Sequence, residues 1–286
     1  MVEKLVDVFD ADGSACAVKL LCLDLDGTLL ASNKRVSAGN RRSIERAREA
    51  GLHVALASGR HPFNVRDQLD DLGLPHDAVC LSGAYVMAND HEVFRHELPG
   101  DAVERVIDVV ARLGCYVSLA GSDFNLVCGA VDRGSDGKSG AVLRYTECSD
   151  YGDLRKRAVT RADKILKGAV HADDEGAYRA LREGLRAVPG VEVVQSDKFW
   201  LDVVACGCSK AEGIEALARS FGLGMSEVAA VGDDENDAEA LAAVGLGIVV
   251  ANAVPSARAA AKISVADNDN DGVAEAIAFL VERRTC

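Results

Sequence analysis

Asp24-Leu25-Asp26-Gly27-Thr28 closes a largely apolar run, Val18 to Leu23, and ends in a glycine turn. The pattern reads as a buried strand that delivers two carboxylates to a loop at its C-terminal end. In open α/β sheets that is the edge where ligands bind. On a continuing strand, Asp24 and Asp26 would project to the same side, one pleat apart. Two unpaired carboxylates so close would repel and lose their charges. A divalent cation removes the conflict, and hard carboxylate oxygens suit Mg²⁺. Asp-Gly alone marks only a turn; the apolar strand before it gives the pair its meaning.

Outward from this stretch, strands and helices alternate. Ser37 is a good N-cap for a helix through Ala50, with Gly51 as its stop. His53–Ala57 reads as the next strand, Ser58-Gly59-Arg60 as a turn, and Pro62 as the first turn of a helix ending near Gly73. Ala78–Leu81 is a third apolar run. The rhythm predicts a parallel sheet covered by helices. From about Tyr85 to Ala205 the texture changes: Asp101 and Glu104 read as a capping box, and strand-like pieces are separated by polar, glycine-containing stretches. A run of cations, Arg155 to Lys167, reads chiefly as a solvated face. From Ser209 the alternation resumes. Ser209 and Glu212 read as another capping box, with Lys210 in the first turn of its helix. The simplest organisation is one α/β domain, residues 1–84 and 206–286, with an α+β unit, residues 85–205, inserted between its halves.

Gly232-Asp233-Asp234-Glu235-Asn236-Asp237 follows the apolar run Val228–Val231 and repeats the opening theme of strand, turn and closely spaced acids. If both strands lie in one parallel sheet, both acidic groups meet at one edge and form an oxygen-lined cup for Mg²⁺. Ser58 precedes a turn and a helix, a common setting for holding a phosphate oxygen. Lys210 stands where a helix dipole disfavours a cation, which a substrate phosphate would explain. Asp267 to Gly272 imitates half of an EF-hand loop, but position twelve is Ala278, so a helix N-terminus rich in capping residues is the better reading.

Together, Asp24-x-Asp26-Gly-Thr28, Ser58, Lys210 and Gly232-Asp233-x-x-Asn236-Asp237 resemble the haloacid dehalogenase superfamily. The insert between Ser58 and Lys210 and the tail Asp269-Asn270-Asp271-Gly272-Val273-Ala274 resemble its Cof-like subgroup. Two departures lie beside the motifs: Ser82-Gly83-Ala84 replaces Asn-Gly-Ala, and Ala251-Asn252-Ala253 replaces Gly-Asn-Ala. The resemblance implies a Rossmann-like α/β fold, a parallel sheet core with helices on both faces, carrying an inserted α+β cap domain. It implies a Mg²⁺-dependent phosphatase acting on small phosphate monoesters, such as sugar phosphates or phosphorylated cofactors, through an aspartyl-phosphate. Asp24 would be the nucleophile and Asp26 the general acid and base. Thr28, Ser58, Gly59, Lys210 and Asn236 would bind substrate. Asp24, Asp26 through its backbone carbonyl, Asp233 and Asp237 would serve the metal. A phosphotransferase or phosphomutase on sugar phosphates, and a non-catalytic phosphate-binding regulator, are the alternatives on this fold.

The composition is an ordinary globular balance that can fill a core. The 286 residues carry 45 acids against 32 basic residues, a net charge of −13. Such a surface does not attract nucleic acid, and a phosphate site must bring its own cations. No apolar run is long enough for a membrane span, and Met1 to Asp10 carries no signal-peptide core. Nine cysteines without a Cys-x-x-Cys pair suggest reduced thiols and a cytoplasmic setting. Cys206-Gly207-Cys208 is too tight for the usual zinc spacing. Nothing in the pattern specifies an oligomeric state.

Overall fold

The computed structural model describes residues 18–130, 145–161 and 164–282. Residues 1–16, read as an extra edge strand or a tail, lie outside the described residues, as does Arg283, the expected end of the last helix. Two sheets organise the rest.

The first sheet grows from β1 (Leu20–Leu23), whose four side chains are buried. Branched and long apolar residues on both faces suit a strand covered by helices on each side. β2 (His53–Ala57) and β3 (Ala78–Cys80) follow on one flank. β12 (Val228–Gly232), β13 (Leu246–Val249) and β14 (Ile263–Ser264) follow on the other, and all six strands run parallel. The order reverses at β1, which pairs with β2 on one side and with β12 on the other, Leu23 opposite Val231. A crevice opens at such a switch point, outside the C-terminal strand ends.

Helices α1 (Ala38–Glu49) and α2 (Pro62–Leu72) start where capping chemistry expects them. The Ser37 hydroxyl accepts from the Asn40 N–H at 3.0 Å, and Gly73 ends α2 in the left-handed conformation.

The sheet continues past the expected boundary. β4 (Tyr85–Ala88) pairs antiparallel with β3, and β5 (His91–Arg95) pairs antiparallel with β4. Residues 85–95, placed with the inserted unit in the sequence reading, thus hydrogen-bond into the first sheet. Asn89 and Asp90, both with positive φ, form the two-residue turn that twisted hairpins favour. That turn was present in the sequence, but the polar stretch from His91 to Arg95 masked the edge strand.

The inserted unit has its own sheet: β10 (Val191–Asp197), β11 (Trp200–Ala205), β9 (Lys167–His171), β6 (Tyr116–Ala120), β7 (Asn125–Cys128) and β8 (Thr146–Glu147), in that order. It is antiparallel apart from the β7–β8 pair. Helices α3 (Gly100–Leu113), α4 (Tyr151–Val159) and α5 (Glu175–Arg186) accompany it. α3 does not begin with the expected capping box. Pro99 is its N-cap, without a side-chain cap bond, and Asp101 lies inside the first turn. Arg155 on α4 pairs with Asp108 and Glu104 on α3, so this part of the cation run ties two helices at the surface.

The chain returns to the first unit through α6 (Lys210–Ser220), then α7 (Ala238–Ala243), α8 (Pro255–Ala260) and α9 (Gly272–Glu282). The EF-hand look-alike joins this return to the start of the chain. Asp269 accepts from the Ser32 N–H and hydroxyl at 2.7 and 2.6 Å, and Asp271 accepts from Ser37. Among the described residues no helix is long and apolar enough to cross a membrane.

Leu56, the fourth of the five residues of β2, is completely buried. Leu56→Ala is expected to lower unfolding free energy by about 2–5 kcal/mol, read as a lower urea midpoint at unchanged slope.

Candidate active site

β1 and β12 run side by side, and the Asp24 N–H donates to the Val231 carbonyl at 2.9 Å. This register puts Asp24 and the Gly232–Asp237 loop at one sheet edge although 209 positions separate Asp24 from Asp233 in number. Ligand oxygens of Asp24, Asp233 and Asp237 all lie within 4.8 Å of one another.

Two features let the loops approach so closely. Gly27 has φ +83°, and a Cβ there would lie 2.3 Å from Asp233 Oδ2. Only glycine tolerates both that conformation and that contact. Asn252 then holds the Gly27 carbonyl from its side-chain amide at 2.7 Å, so this residue of the departing Ala-Asn-Ala triplet serves the loop.

Lys210 sits within the acid cluster. Its Nζ donates to Asp24 Oδ1 and to Asp237 Oδ1, each at 2.6 Å, and its side chain is 2% exposed. Ser209 starts α6 by accepting from the Glu212 N–H at 3.3 Å. The Glu212 carboxylate does not complete the expected box and meets His96 Nδ1 at 2.8 Å. Burial works against the Lys210 charge, but Asp237 and Asp24 outweigh it and hold the ammonium on. For Asp24, burial is the largest influence and pushes the carboxyl up well above its usual range, against the opposing pull of Lys210. Asp233 is pushed up to about 6, first by burial and further by Asp237 and Asp234, while Thr28 pulls the other way.

The remaining expected residues separate into two groups. Ser58, Gly59 and Asn236 line one pocket of about 240 Å³ together with Asp24 and Asp26. Thr28 does not reach it: the residue is fully buried and its hydroxyl donates to Asp233 Oδ1 at 2.6 Å. The Thr28 hydroxyl is thus engaged with the Asp233 carboxylate. Asp237 is likewise committed to the protein, since its Oδ2 accepts from the Asp233 and Asp234 N–H groups at 3.0 Å.

The paired-acid expectation for Asp24 and Asp26 needs correction. β1 ends at Leu23, and the Asp26 carboxylate turns to Arg60, whose Nε and one terminal nitrogen each donate at 2.7 Å. Burial pushes the Asp26 carboxyl up, but Arg60 and then Lys34 reverse this and hold it below the usual carboxylate range. Its side chain is not part of the three-carboxylate cluster.

Sequence reasoning gave Arg60 only as a turn residue, Lys167 as the end of a cation run and Ser82 as a departure beside the motifs, and it did not name Asp202; all four belong here. Lys167 comes from β9 of the inserted unit, is buried, and pairs with Asp202 on β11. Its Nζ also donates to the Gly59 carbonyl at 2.9 Å and to Ser82 Oγ at 3.1 Å. Ser82, in the departing Ser-Gly-Ala triplet, donates to Asp202 at 3.0 Å. A lysine within the otherwise apolar run Ile165 to Val170 was the available signal, obscured because it sat at the end of a cation run.

Residues 21–277 match the sequence profile of the haloacid dehalogenase-like hydrolases. The chain belongs to that family. Among its relatives is a putative phosphatase of Bacillus subtilis strain 168, YkrA, 26% identical over 261 residues, covering 91% of this chain and 96% of that protein. Another is 5-amino-6-(5-phospho-D-ribitylamino)uracil phosphatase YitU of the same strain, 26% identical over 263 residues, covering 89% and 94%. A haloacid dehalogenase-like hydrolase from Bacteroides thetaiotaomicron superposes with a TM-score of 0.79 at 25% identity, covering 91% of this chain and 98% of that one.

The residues fit a hard divalent cation of the kind such hydrolases use. The donors are carboxylate oxygens, two of the three are pushed up by mutual repulsion and burial, and Asn236 Oδ1 is buried without a hydrogen-bond partner.

Lys210→Met leaves Asp24 and Asp237 facing one another without a cation. A loss of about 3–5 kcal/mol in unfolding free energy is expected near neutral pH. The loss should shrink as pH falls, because a carboxyl raised in the folded state gains stability on protonation. Urea unfolding of the metal-free protein at about pH 7.5 and about pH 5 checks both.

Proposed function

We propose that this hydrolase cleaves small phosphate monoesters through a covalent phosphate on Asp24. The observation that carries the reading is a buried carboxylate, Asp24, lining a small pocket while Lys210 grips only its Oδ1. The other oxygen is left to attack phosphorus in line with the ester oxygen, which departs as the P–O bond breaks. Asp26 gives its proton to the leaving oxygen. It then takes a proton from the water that attacks the Asp24-bound phosphate, so inorganic phosphate leaves and both carboxyls return to their starting states. Asp26 is ionised while Arg60 holds it. An incoming phosphate dianion competes for Arg60; once that ion pair loosens, Asp26 takes a proton from solvent before the ester bond breaks, and returns it to solvent when Arg60 pairs with it again.

Ser58, the backbone around Gly59, and Asn236 are placed to hold phosphoryl oxygens, so charge develops against fixed dipoles. Asp24 and Asp233, with the Asp26 carbonyl, would hold Mg²⁺, and Asp237 keeps their loop in shape. When bound, the ion neutralises charge between the carboxylates and the phosphoryl group. Lys167 brings the inserted unit down onto Gly59, which makes that unit the cap over the reaction. A second pocket, about 480 Å³, shares Asp26, Ser196 and Asp234 with the first and is lined by Gln195 and Lys198 of the cap. It is the natural place for the alcohol half of the ester. The named activity of YitU, on a phosphorylated ribityl compound, supports polar phosphate esters of that size as the substrate class.

Asp24→Asn keeps the shape of the side chain and removes its charge. Phosphate release from p-nitrophenyl phosphate with Mg²⁺ should fall by roughly 10³-fold or more; near-normal release would contradict the assignment. A chelator should silence the native enzyme, and Mg²⁺ should restore it.

The pH dependence follows from Asp233. Its carboxyl is protonated below about 6 in the metal-free protein, so protons compete with the cation there. Calorimetric Mg²⁺ titrations should show affinity weakening as pH falls through that value, and a pH-independent affinity would remove Asp233 from the ligand set.

A further inference from the structure

A second cluster of ligating side chains lies away from the acids. His96, Cys208 and Glu212 each place a ligand atom within 4.8 Å of the others. His96 Nδ1 and Glu212 Oε2 are 2.8 Å apart, and the Cys208 thiol is buried beside them. Donors of a tetrahedral zinc centre lie roughly 3.3–3.8 Å apart, given bonds of about 2.0–2.3 Å. With every pair of ligand atoms within 4.8 Å, the three groups lie close to that spacing. Imidazole, thiolate and one carboxylate are the donors of borderline cations and not of Mg²⁺.

Their places in the chain give the cluster its interest. His96 lies in the segment from β5 to α3, and Cys208 in the segment from β11 to α6. These are the two crossings between the core and the cap. Glu212 is in the first turn of α6, beside Lys210. Gly207, next to Cys208 in the second crossing, has φ +81°, the left-handed region that favours glycine. A cation held by all three side chains would tie both crossings to the core.

We propose that His96, Cys208 and Glu212 form a binding site for a thiophilic divalent cation of the Zn²⁺ class that clasps the two cap crossings. Three protein ligands leave the fourth position to water. Without the ion, burial and the nearby Glu212 push the Cys208 thiol up to about 12, so it is protonated. Binding therefore forms the metal–sulfur bond and releases the thiol proton to solvent. A clasp on the crossings slows cap opening and so slows turnover, a consequence that rests on the phosphatase reading. Occupancy of the site does not rest on it.

The test uses the full chain, stripped of metal and titrated with Co²⁺ alone. A thiolate-to-cobalt charge-transfer band in the near ultraviolet should saturate near one equivalent. Cys208→Ser should abolish the band, Cys206→Ser should retain it, and His96→Gln, at a partly exposed position that threatens folding least, should weaken Co²⁺ binding by roughly 10-fold or more. No band, a band that survives Cys208→Ser, or an affinity unchanged in His96→Gln overturns the site. With Mg²⁺ present, added Zn²⁺ should slow p-nitrophenyl phosphate turnover in the native enzyme and much less in His96→Gln. Equal inhibition of both proteins would place the inhibiting ion at the carboxylates and overturn the clasp. Absence of turnover from every protein, with the cobalt band intact, would count against the phosphatase reading alone.

Discussion

Lys210 between Asp24 and Asp237 is the interaction on which the rest of the structure depends. Its Nζ is shared by two carboxylates that belong to loops after different strands. A net charge of −13 already burdens the fold, and Asp233 adds a third acid to the same cup. Without a resident cation, closing β1 onto β12 would bury uncompensated charge, which costs several kcal/mol per ion. Lys210 offsets that cost before any metal arrives. It also fixes the start of α6 against the sheet edge, so one side chain couples strand order, loop position and the ionisation state of Asp24.

A second buried pair performs the same service between the two units. Lys167 and Asp202 belong to the cap sheet, yet Lys167 reaches Gly59 and Ser82 of the core. Buried ion pairs are weak evidence for stability, because desolvation consumes much of their attraction. What they do well is select one arrangement among several of similar packing energy. Here the selected arrangement lays the cap sheet over the Ser58–Gly59 turn.

Asp26 shows how local chemistry and tertiary position divide a motif. Asp24 and Asp26 are two residues apart, but one is buried on Lys210 and the other is partly exposed on Arg60 and Lys34. Their ionisation is pushed in opposite directions by these surroundings. Such separation lets two identical side chains take different parts in one reaction.

The strand–turn–acid stretches, the helix starts at Ser37, Pro62 and Ser209, and the existence of an insert were all legible in the chain. Each rests on local rules: apolar periodicity, capping and glycine turns act within a few residues. The pairing of Tyr85–Arg95 with the first sheet was not legible, because an edge strand with polar residues carries little periodic signal. Lys167 reads in sequence chiefly as part of a solvated face, because its burial depends on Asp202 and Gly59, which lie far from it in sequence. Thr28 and Glu212 were legible as polar residues at turns and caps, but not as partners of Asp233 and His96. The amino-acid order alone thus determined which residues could carry charge chemistry and which elements would present them. Only the tertiary structure decided which charges meet. Pairing of buried ions is set by strand neighbours and sheet register, long-range contacts that no local pattern specifies.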